Sequence, residues 1–292
     1  MSAEHVIPGF DDPTCGIAVA AKQLMRRGVG EDGEVWVHSM WLPMVVKASL
    51  KTLLTGRKLV RMPHGCTDPT KLKHHWHKKR WVALIERWIF RHADRIIATC
   101  EDEVDWIKAF EPKVRKVEFV PLSSPAPQPS PVRHRLDEGG SLRLLYVGRL
   151  HKLKGLEFLF EALPSDVKLV IIGKEDGEGA KLREIAKRRG LDVEFRGVVS
   201  EDEKIAAYDA CDALVLPTLS ENFGLVIAEA LERGCRVITT DGAPAWGDGN
   251  TYGGRLVYLK GYLDGSREER IALLEDAIRR LRSERRGECV SG

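Results

Sequence analysis

Short apolar runs recur along this chain, and most are followed by a turn and then by a segment with helical spacing. In the first part, residues 3–7 read as the end of a strand. Ile17 to Arg27 reads as an amphipathic helix closed by Gly28, and Gly33 to Ser39 as the next strand. Pro43 to Leu54 has helical spacing, and Lys58 to Met62 is a strand. Two more strands fall at Ala93 to Ala98 and Val117 to Val120. Between them a helix begins with an acidic first turn, with Thr99 or Glu101 near its cap. From Leu142 the pattern starts again. Strands are expected at 142–147, 167–172, 193–196, 214–216 and 236–239, with helices at 156–163, 180–189, 201–210 and 223–233. A charged amphipathic helix from Glu268 to Leu281 follows, and the tail reads as disordered.

Strand and helix in alternation predict an α/β fold with parallel sheets. The stretch 121–140 is rich in proline and serine and reads as a linker. The expected organisation is an amino-terminal domain over 1–121, a linker over 122–141 and a second domain over 142–265. A helix over 266–285 and a tail over 286–292 complete it.

Open parallel sheets bind ligands outside the carboxyl ends of their strands. The residues that follow each strand are therefore the candidates. Pro217 stops the strand at 214–216, and a polar turn, Thr218 to Asn222, leads into a helix. The amino end of that helix, at about Asn222 to Gly224, offers amides without intrahelical partners and a positive dipole end, a ready diphosphate site. Glu221 and Glu229 flank it. Taken alone, they read either as solvated helix charges or as groups that face a bound molecule.

The loop Gly148 to Gly155 brings Arg149, Lys152 and Lys154 to a strand end beside a helix start. A guanidinium fork with an ammonium suits a diphosphate. A solvated basic turn has the same composition. Gly16 stands at a strand-to-helix junction, as an approach point for a ligand or as a turn glycine. His38, Trp41 and His64 fall at consecutive strand ends. One histidine there is more often structural, but two point to that edge.

With 43% hydrophobic and 30% charged residues and a net charge of +3, the 292 residues describe a soluble globular protein with no call for nucleic acid. No apolar run approaches a membrane span, and no signal-peptide pattern is visible at the amino terminus. Six cysteines, without zinc spacing, read as reduced thiols of a cytoplasmic protein. The stretch 71–90 changes this picture. It is basic and tryptophan-rich, with Trp81, Leu84, Ile85, Trp88 and Ile89 on one helical face. Such a stretch lies on an anionic membrane or a lipid-linked acceptor. Alternatively it is a solvated face, or a nucleic-acid contact; the membrane reading is preferred.

The segments VGRLHKLKGLEFLFEAL, VKLVIIGKEDGEGAKLREIAKRRGLDVEFRGVVSEDE and YDACDALVLPTLSENFGLVIAEALERGCRVITTDGAP resemble the carboxyl-terminal domain of the retaining glycosyltransferases of family four, the group 1 transferases. The likeness covers about residues 142 to 245 and rests on a basic R-x4-K-G loop and a Glu-x7-Glu element. PTCG, VHSMW, MPHGCTDP and HWHKKRWVALIERWIFRHADRIIATCEDE resemble the amino-terminal half of the same family.

The resemblance implies a GT-B architecture, two Rossmann-like domains facing across a cleft. It implies a nucleotide-sugar donor of UDP or GDP type, bound as substrate, and no metal or other cofactor. Carried over residue by residue, Arg149 and Lys154 bind the donor diphosphate, with Gly148 alongside. Glu221 contacts the transferred sugar, next to the backbone of Asn222, Phe223, Gly224 and Leu225. Glu229 holds the ribose hydroxyls, and Val198 belongs to the donor pocket. Gly16 allows close approach to the phosphates, and His64 contacts the sugar. The catalytic set is Glu221, Arg149, Lys154 and His64.

The chain departs from the family in a shortened amino-terminal domain, with elements skipped between Gly28 and Glu34, and in one glycine, Gly16, where two are usual. The implied activity is sugar transfer with retention to a glycan or lipid-linked acceptor, in cell-surface polysaccharide or lipopolysaccharide synthesis at the inner face of a membrane. The rivals are a non-catalytic nucleotide-sugar-binding scaffold and a GT-B epimerase. A dehydrogenase is disfavoured, because no G-x-G-x-x-G follows the first strand of either domain.

Overall fold

The computed structural model describes residues 3–11, 15–73, 76–122, 141–247 and 252–285. The chain divides into two compact units, Met1–Ser124 and Pro125–Gly292. Most of the expected linker and the tail from 286 lie outside the described residues.

The first unit runs β1 (Glu4–Val6), α1 (Gly16–Arg26), β2 (Glu34–His38), α2 (Pro43–Leu54), β3 (Lys58–Met62), α3 (Pro69–Lys73), α4 (Trp76–His92), β4 (Arg95–Ala98), α5 (Glu101–Phe110) and β5 (Val117–Phe119). Its five strands are parallel and lie in sequence order. Residues of one parity on β2, Val35 and Val37, join Leu59, Ile96, Ile89 and Phe90 in the core. The other parity, Glu34, Trp36 and His38, lines the opposite face.

Helix α4 starts at Trp76, earlier than its apolar stripe suggests, because positions 77–80 are basic and carry no apolar signal. The stripe lies mostly on the outer side, as a surface-lying reading requires: Trp81, Leu84, Ile85 and Trp88 are exposed, and of its residues only Ile89 is buried. The buried face holds Ala83, Glu86, Ile89 and Phe90. Glu86 makes a fully buried ion pair with Arg61 of β3 at 2.9 Å. Arg61 also donates to the Ser39 carbonyl at 3.0 Å, and the Trp41 amide donates to Glu86 at 3.0 Å. These bonds pair two desolvated charges, with the Arg61 Nε left unbonded, and tie α4 to the end of β2.

The cap of α5 also differs from expectation. Cys100 occupies it, with no side-chain cap bond. Glu103 reaches back instead and accepts from the amide and hydroxyl of Thr99, at 2.7 and 2.8 Å.

The second unit runs β6 (Arg143–Val147), α6 (Leu156–Ala162), β7 (Lys168–Ile172), α7 (Gly179–Arg189), β8 (Val193–Gly197), α8 (Glu201–Ala210), β9 (Ala213–Leu216), α9 (Leu225–Glu232), β10 (Arg236–Thr240), β11 (Leu256–Leu259) and α10 (Arg267–Arg285). Its six strands are parallel in the order β11-β10-β9-β6-β7-β8. The order reverses between β6 and β9. That is the topological switch point, where the loops leaving the two strands turn to opposite sides and open a crevice. The first sheet has no such reversal. Strand β11 and the short helix α3 are elements that the apolar pattern did not reveal, β11 because it follows a glycine-rich segment and α3 because it is five residues long in a basic stretch.

Candidate donor site at the switch point of the second sheet

Both loops at the switch point carry residues that the sequence singles out. After β6, the chain makes a 3-10 turn over Lys152–Lys154 and ends it at Gly155. The Leu153 carbonyl accepts from the Leu219 amide at 2.8 Å and from the Thr218 hydroxyl at 3.2 Å, so this loop is bonded to the turn after β9. Gly155 makes the approach possible. It adopts φ +63°, and a Cβ there would lie 2.0 Å from the Pro217 carbonyl oxygen. Any side chain would force the loops apart.

This docking brings Lys154 onto Glu221, and the two form an ion pair in which both side chains are mostly shielded. The other Glu221 oxygen accepts from the Asn222 amide at 3.1 Å. The Glu221 amide donates to the Gly242 carbonyl at 2.7 Å, which fixes the turn against the end of β10.

Helix α9 begins at Leu225, two residues later than its spacing suggests. Gly224 caps it in the left-handed region, at φ 71° and ψ 61°. The chain between Glu221 and Gly224 is a turn, not helix. Phe223 counts toward helical spacing only because it is buried, at 5.5 Å from the Trp246 ring, and the Trp246 indole donates to its carbonyl. Asn222 is also buried. In the first turn of α9 the Ile227 amide donates to the Gly224 carbonyl at 2.8 Å, and Leu225 and Val226 stand at positions whose amides a helix leaves without internal partners.

Arg149 is more than half exposed and pairs with Asp176 at 2.8 Å. Its carbonyl accepts from the Tyr146 hydroxyl at 2.8 Å, and the Gly148 amide donates to the Ile172 carbonyl at 2.9 Å. These bonds fix the backbone and leave the guanidinium at the surface. Val198 follows β8 and is exposed.

Glu229 is held from α8. It accepts from the Tyr208 hydroxyl at 2.9 Å and from the Lys204 ammonium at 3.1 Å. Burial, then the Glu229 charge, pushes the Tyr208 phenol up, so it stays a donor. Burial works against the Lys204 ammonium, but Glu229 and Glu201 hold its pKa above the ordinary value. Asp176, Lys204 and Tyr208 escape sequence reasoning. They act as partners of the singled-out residues, and their spacing along the chain gives no sign of it.

In the first unit, Gly16 is the first residue of α1, preceded by Cys15 at the cap. It has no positive φ, and a Cβ there would meet nothing within 4 Å. Residues 12–14 of the same loop lie outside the described residues. His64 follows β3 with φ 54°, and Ser39 and Trp41, after β2, also have positive φ. Strain in non-glycine backbone costs about 1–3 kcal/mol a residue and tends to collect at functional edges. The Gly65 amide donates to the buried Glu103. Thus α5 pins the His64 loop. The His64 Nε2 lies 2.9 Å from Nδ1 of His38. Burial first, then Lys71, lowers the His64 pKa to about 3.

The family model described as Glycosyl transferases group 1 matches residues 133–261. A second, Glycosyl transferase 4-like domain, matches residues 34–123. A glycogen synthase of Mycobacterium tuberculosis is 30% identical over 172 residues, 56% of this chain and 41% of that protein. The chain spans less than half the length of the first curated relatives it matches. Among solved structures, WaaG, a glycosyltransferase involved in lipopolysaccharide biosynthesis, aligns with a TM-score of 0.70 at 15% identity, over 99% of this chain and 94% of that one. Anabaena HepE, in complex with UDP and glucose, aligns with a TM-score of 0.63 at 18% identity, over 94% of this chain and 78% of that one. One glycosyltransferase model matches each unit, the second unit is similar to the group 1 glycosyl transferases, and with its parallel doubly wound second sheet the chain has the GT-B fold.

Proposed function

We propose that the chain transfers a sugar from a nucleoside diphosphate sugar to a glycan or lipid-linked acceptor, with retention at the anomeric carbon. One observation carries the reading. Lys154 from the loop after β6 pairs with Glu221, just before the start of α9, at the switch point of one sheet, and Arg149 stands on the same loop as Lys154. Cationic side chains and first-turn amides are the groups a departing diphosphate needs.

In this reading the diphosphate lies along Lys154, Arg149 and the first turn of α9. Its charge competes with Glu221 for the Lys154 ammonium. Glu221 then turns an oxygen to hydroxyls of the transferred sugar. The acceptor hydroxyl attacks from the face the nucleotide leaves, and an oxygen of the leaving phosphate takes its proton. Glu229, presented by Tyr208 and Lys204, holds the ribose hydroxyls. Gly16 gives the phosphates close approach, and His64 contacts the sugar. Gly148 and Val198 complete the pocket. The reading calls on no metal or other cofactor.

The UDP in the HepE complex favours a UDP-type donor. The role of WaaG favours a cell-surface glycan as acceptor. Peripheral contact with an anionic membrane has its own support. Trp81, Leu84, Ile85 and Trp88 are exposed on α4. An apolar groove of about 600 Å³ runs beside them, lined by Trp41, Val46, Leu50, Leu54 and Ile85 with Lys47 and Lys51 at its rim. Apolar side chains edged by lysines match the interior and headgroups of an anionic leaflet. Among the described residues no helix is long and apolar enough to cross a membrane.

A panel of UDP and GDP sugars tests the proposal, with binding read by calorimetry and nucleoside diphosphate release read with and without acceptor. Acceptor-dependent release supports it. Binding without release on any acceptor makes the chain a scaffold, and a changed sugar without acceptor makes it an epimerase.

A further inference from the structure

Three histidines cross one face of the first sheet in hydrogen-bonded sequence. His5 Nδ1 lies 3.0 Å from His38 Nε2, and His38 Nδ1 lies 2.9 Å from His64 Nε2. Ring centroids are 5.3 and 5.2 Å apart, with interplanar angles of 25°. Those separations equal one N–H···N bond with a ring radius on either side, so the rings meet edge to edge. Neighbouring parallel strands, about 4.8 Å apart, bring the three together along a diagonal: His5 is in register with Trp36, two residues before His38, and His64 lies two residues beyond Met62, the register partner of His38.

A neutral imidazole has one N–H and one lone pair. His38 uses both nitrogens, so it donates at one and accepts at the other. If His38 donates from Nε2 to His5, then its Nδ1 accepts from His64 Nε2–H. If it donates from Nδ1, every bond reverses. The three rings have two neutral states, all Nε2–H or all Nδ1–H. Burial disfavours the charged alternative: it lowers His5, holds His38 well below the ordinary histidine value and brings His64 to about 3. A neutral histidine prefers the Nε2–H form, and the ladder adds that preference over three rings.

We propose that His38, backed by His5, is a positioning residue that fixes His64 as the Nε2–H tautomer, so that His64 meets a sugar hydroxyl as an acceptor at Nδ1. This rests on the reading of His64 as a sugar contact. The strained φ of His64 supports it, since the loop holds the ring where His38 can reach it.

Nitrogen-15 spectra of histidine-labelled full chain test the proposal, together with sugar turnover. Wild-type His64 shows one protonated Nε2 and one bare Nδ1. His38→Phe keeps a ring and removes both bonds, so the two His64 nitrogens average or exchange, and kcat falls about tenfold. His38→Asn places an amide near the former Nδ1 and restores the His64 signature and most of the rate. If His38→Phe does not fold, His5→Phe removes the acceptor of His38 Nε2–H and blurs both tautomers. A wild-type His64 protonated at Nδ1, or a tautomer unmoved in His38→Phe and His5→Phe, overturns the proposal. A tautomer that moves while turnover stays constant keeps the ladder and removes His64 from the sugar site.

Discussion

The Lys154 ammonium and the Glu221 carboxylate form an ion pair that bridges the two loops of the switch point. The pair holds a cation and an anion ready for a ligand with the opposite arrangement. In the proposed reading a diphosphate takes the cation, and the freed carboxylate takes the sugar hydroxyls. The two residues therefore respond differently to removal. Lys154→Ala should weaken UDP binding roughly tenfold to a hundredfold, the worth of a charge-assisted contact. Glu221→Ala should bind UDP at least as well, since its competitor for Lys154 is gone, yet lose sugar turnover. Calorimetry beside a turnover assay checks both, and equal loss of UDP binding in the two variants would contradict this division.

Gly155 and Gly16 give opposite predictions for the same substitution. Gly155→Ala places a methyl against the Pro217 carbonyl in a left-handed conformation. It should cost at least about 2 kcal/mol of stability and lower Tm by several degrees. Gly16→Ala meets open space. It should leave stability unchanged within about 0.5 kcal/mol and weaken donor binding, as measured by thermal unfolding with and without UDP.

Stability should fall on mild acidification. His38 and His64 have pKa values below the ordinary 6.5, with burial the first cause. The unfolded chain therefore binds protons that the folded chain refuses. Stability is complete above pH 6.5 and is lost as pH falls toward about 3, at about 1.4 kcal/mol per pH unit for each such histidine. Denaturant unfolding between pH 7 and 5, above the range of the carboxylates, isolates this slope. His38→Asn should reduce it.

Glu229 should determine ribose recognition. The wild-type chain is expected to prefer UDP over 2′-deoxy-UDP by about tenfold. Glu229→Ala should abolish the preference. Tyr208→Phe, which removes one donor from that carboxylate, should reduce it by less. Competition binding with the two nucleotides reads both effects.

Membrane contact should depend on the exposed face of α4. Trp81→Ser with Trp88→Ser removes two large apolar side chains, each worth about 1.5–3 kcal/mol when buried. Cosedimentation with phosphatidylglycerol vesicles should fall more than tenfold, while phosphatidylcholine vesicles bind little either way. Equal binding of variant and wild type to the anionic vesicles would reject this surface.

Most of the fold was legible because its strands are buried. Buried parallel strands are apolar runs, and the chain marks each with a turn and a helical period. Strand β11 was missed because four residues after a glycine-rich segment carry too little period. The surface-lying reading of α4 required Trp81, Leu84, Ile85 and Trp88 exposed, as they are, but the side that packs inward was not legible. The period shows that Trp81, Ile85 and Trp88 share a side, but it does not say which side meets the sheet. Glu86, a charged residue, points inward because Arg61 is there to meet it.

The sequence by itself determined the alternation of elements, the loops at strand ends and the residue types a diphosphate requires. These are local properties, fixed by neighbours a few positions away. Only the tertiary structure decided the partners. It placed Lys154 on Glu221, Tyr208 and Lys204 on Glu229, and His38 between His5 and His64. Each of these pairs joins residues from separate elements, and strand order sets which elements become neighbours. Strand order is a long-range outcome of packing, and no local spacing encodes it.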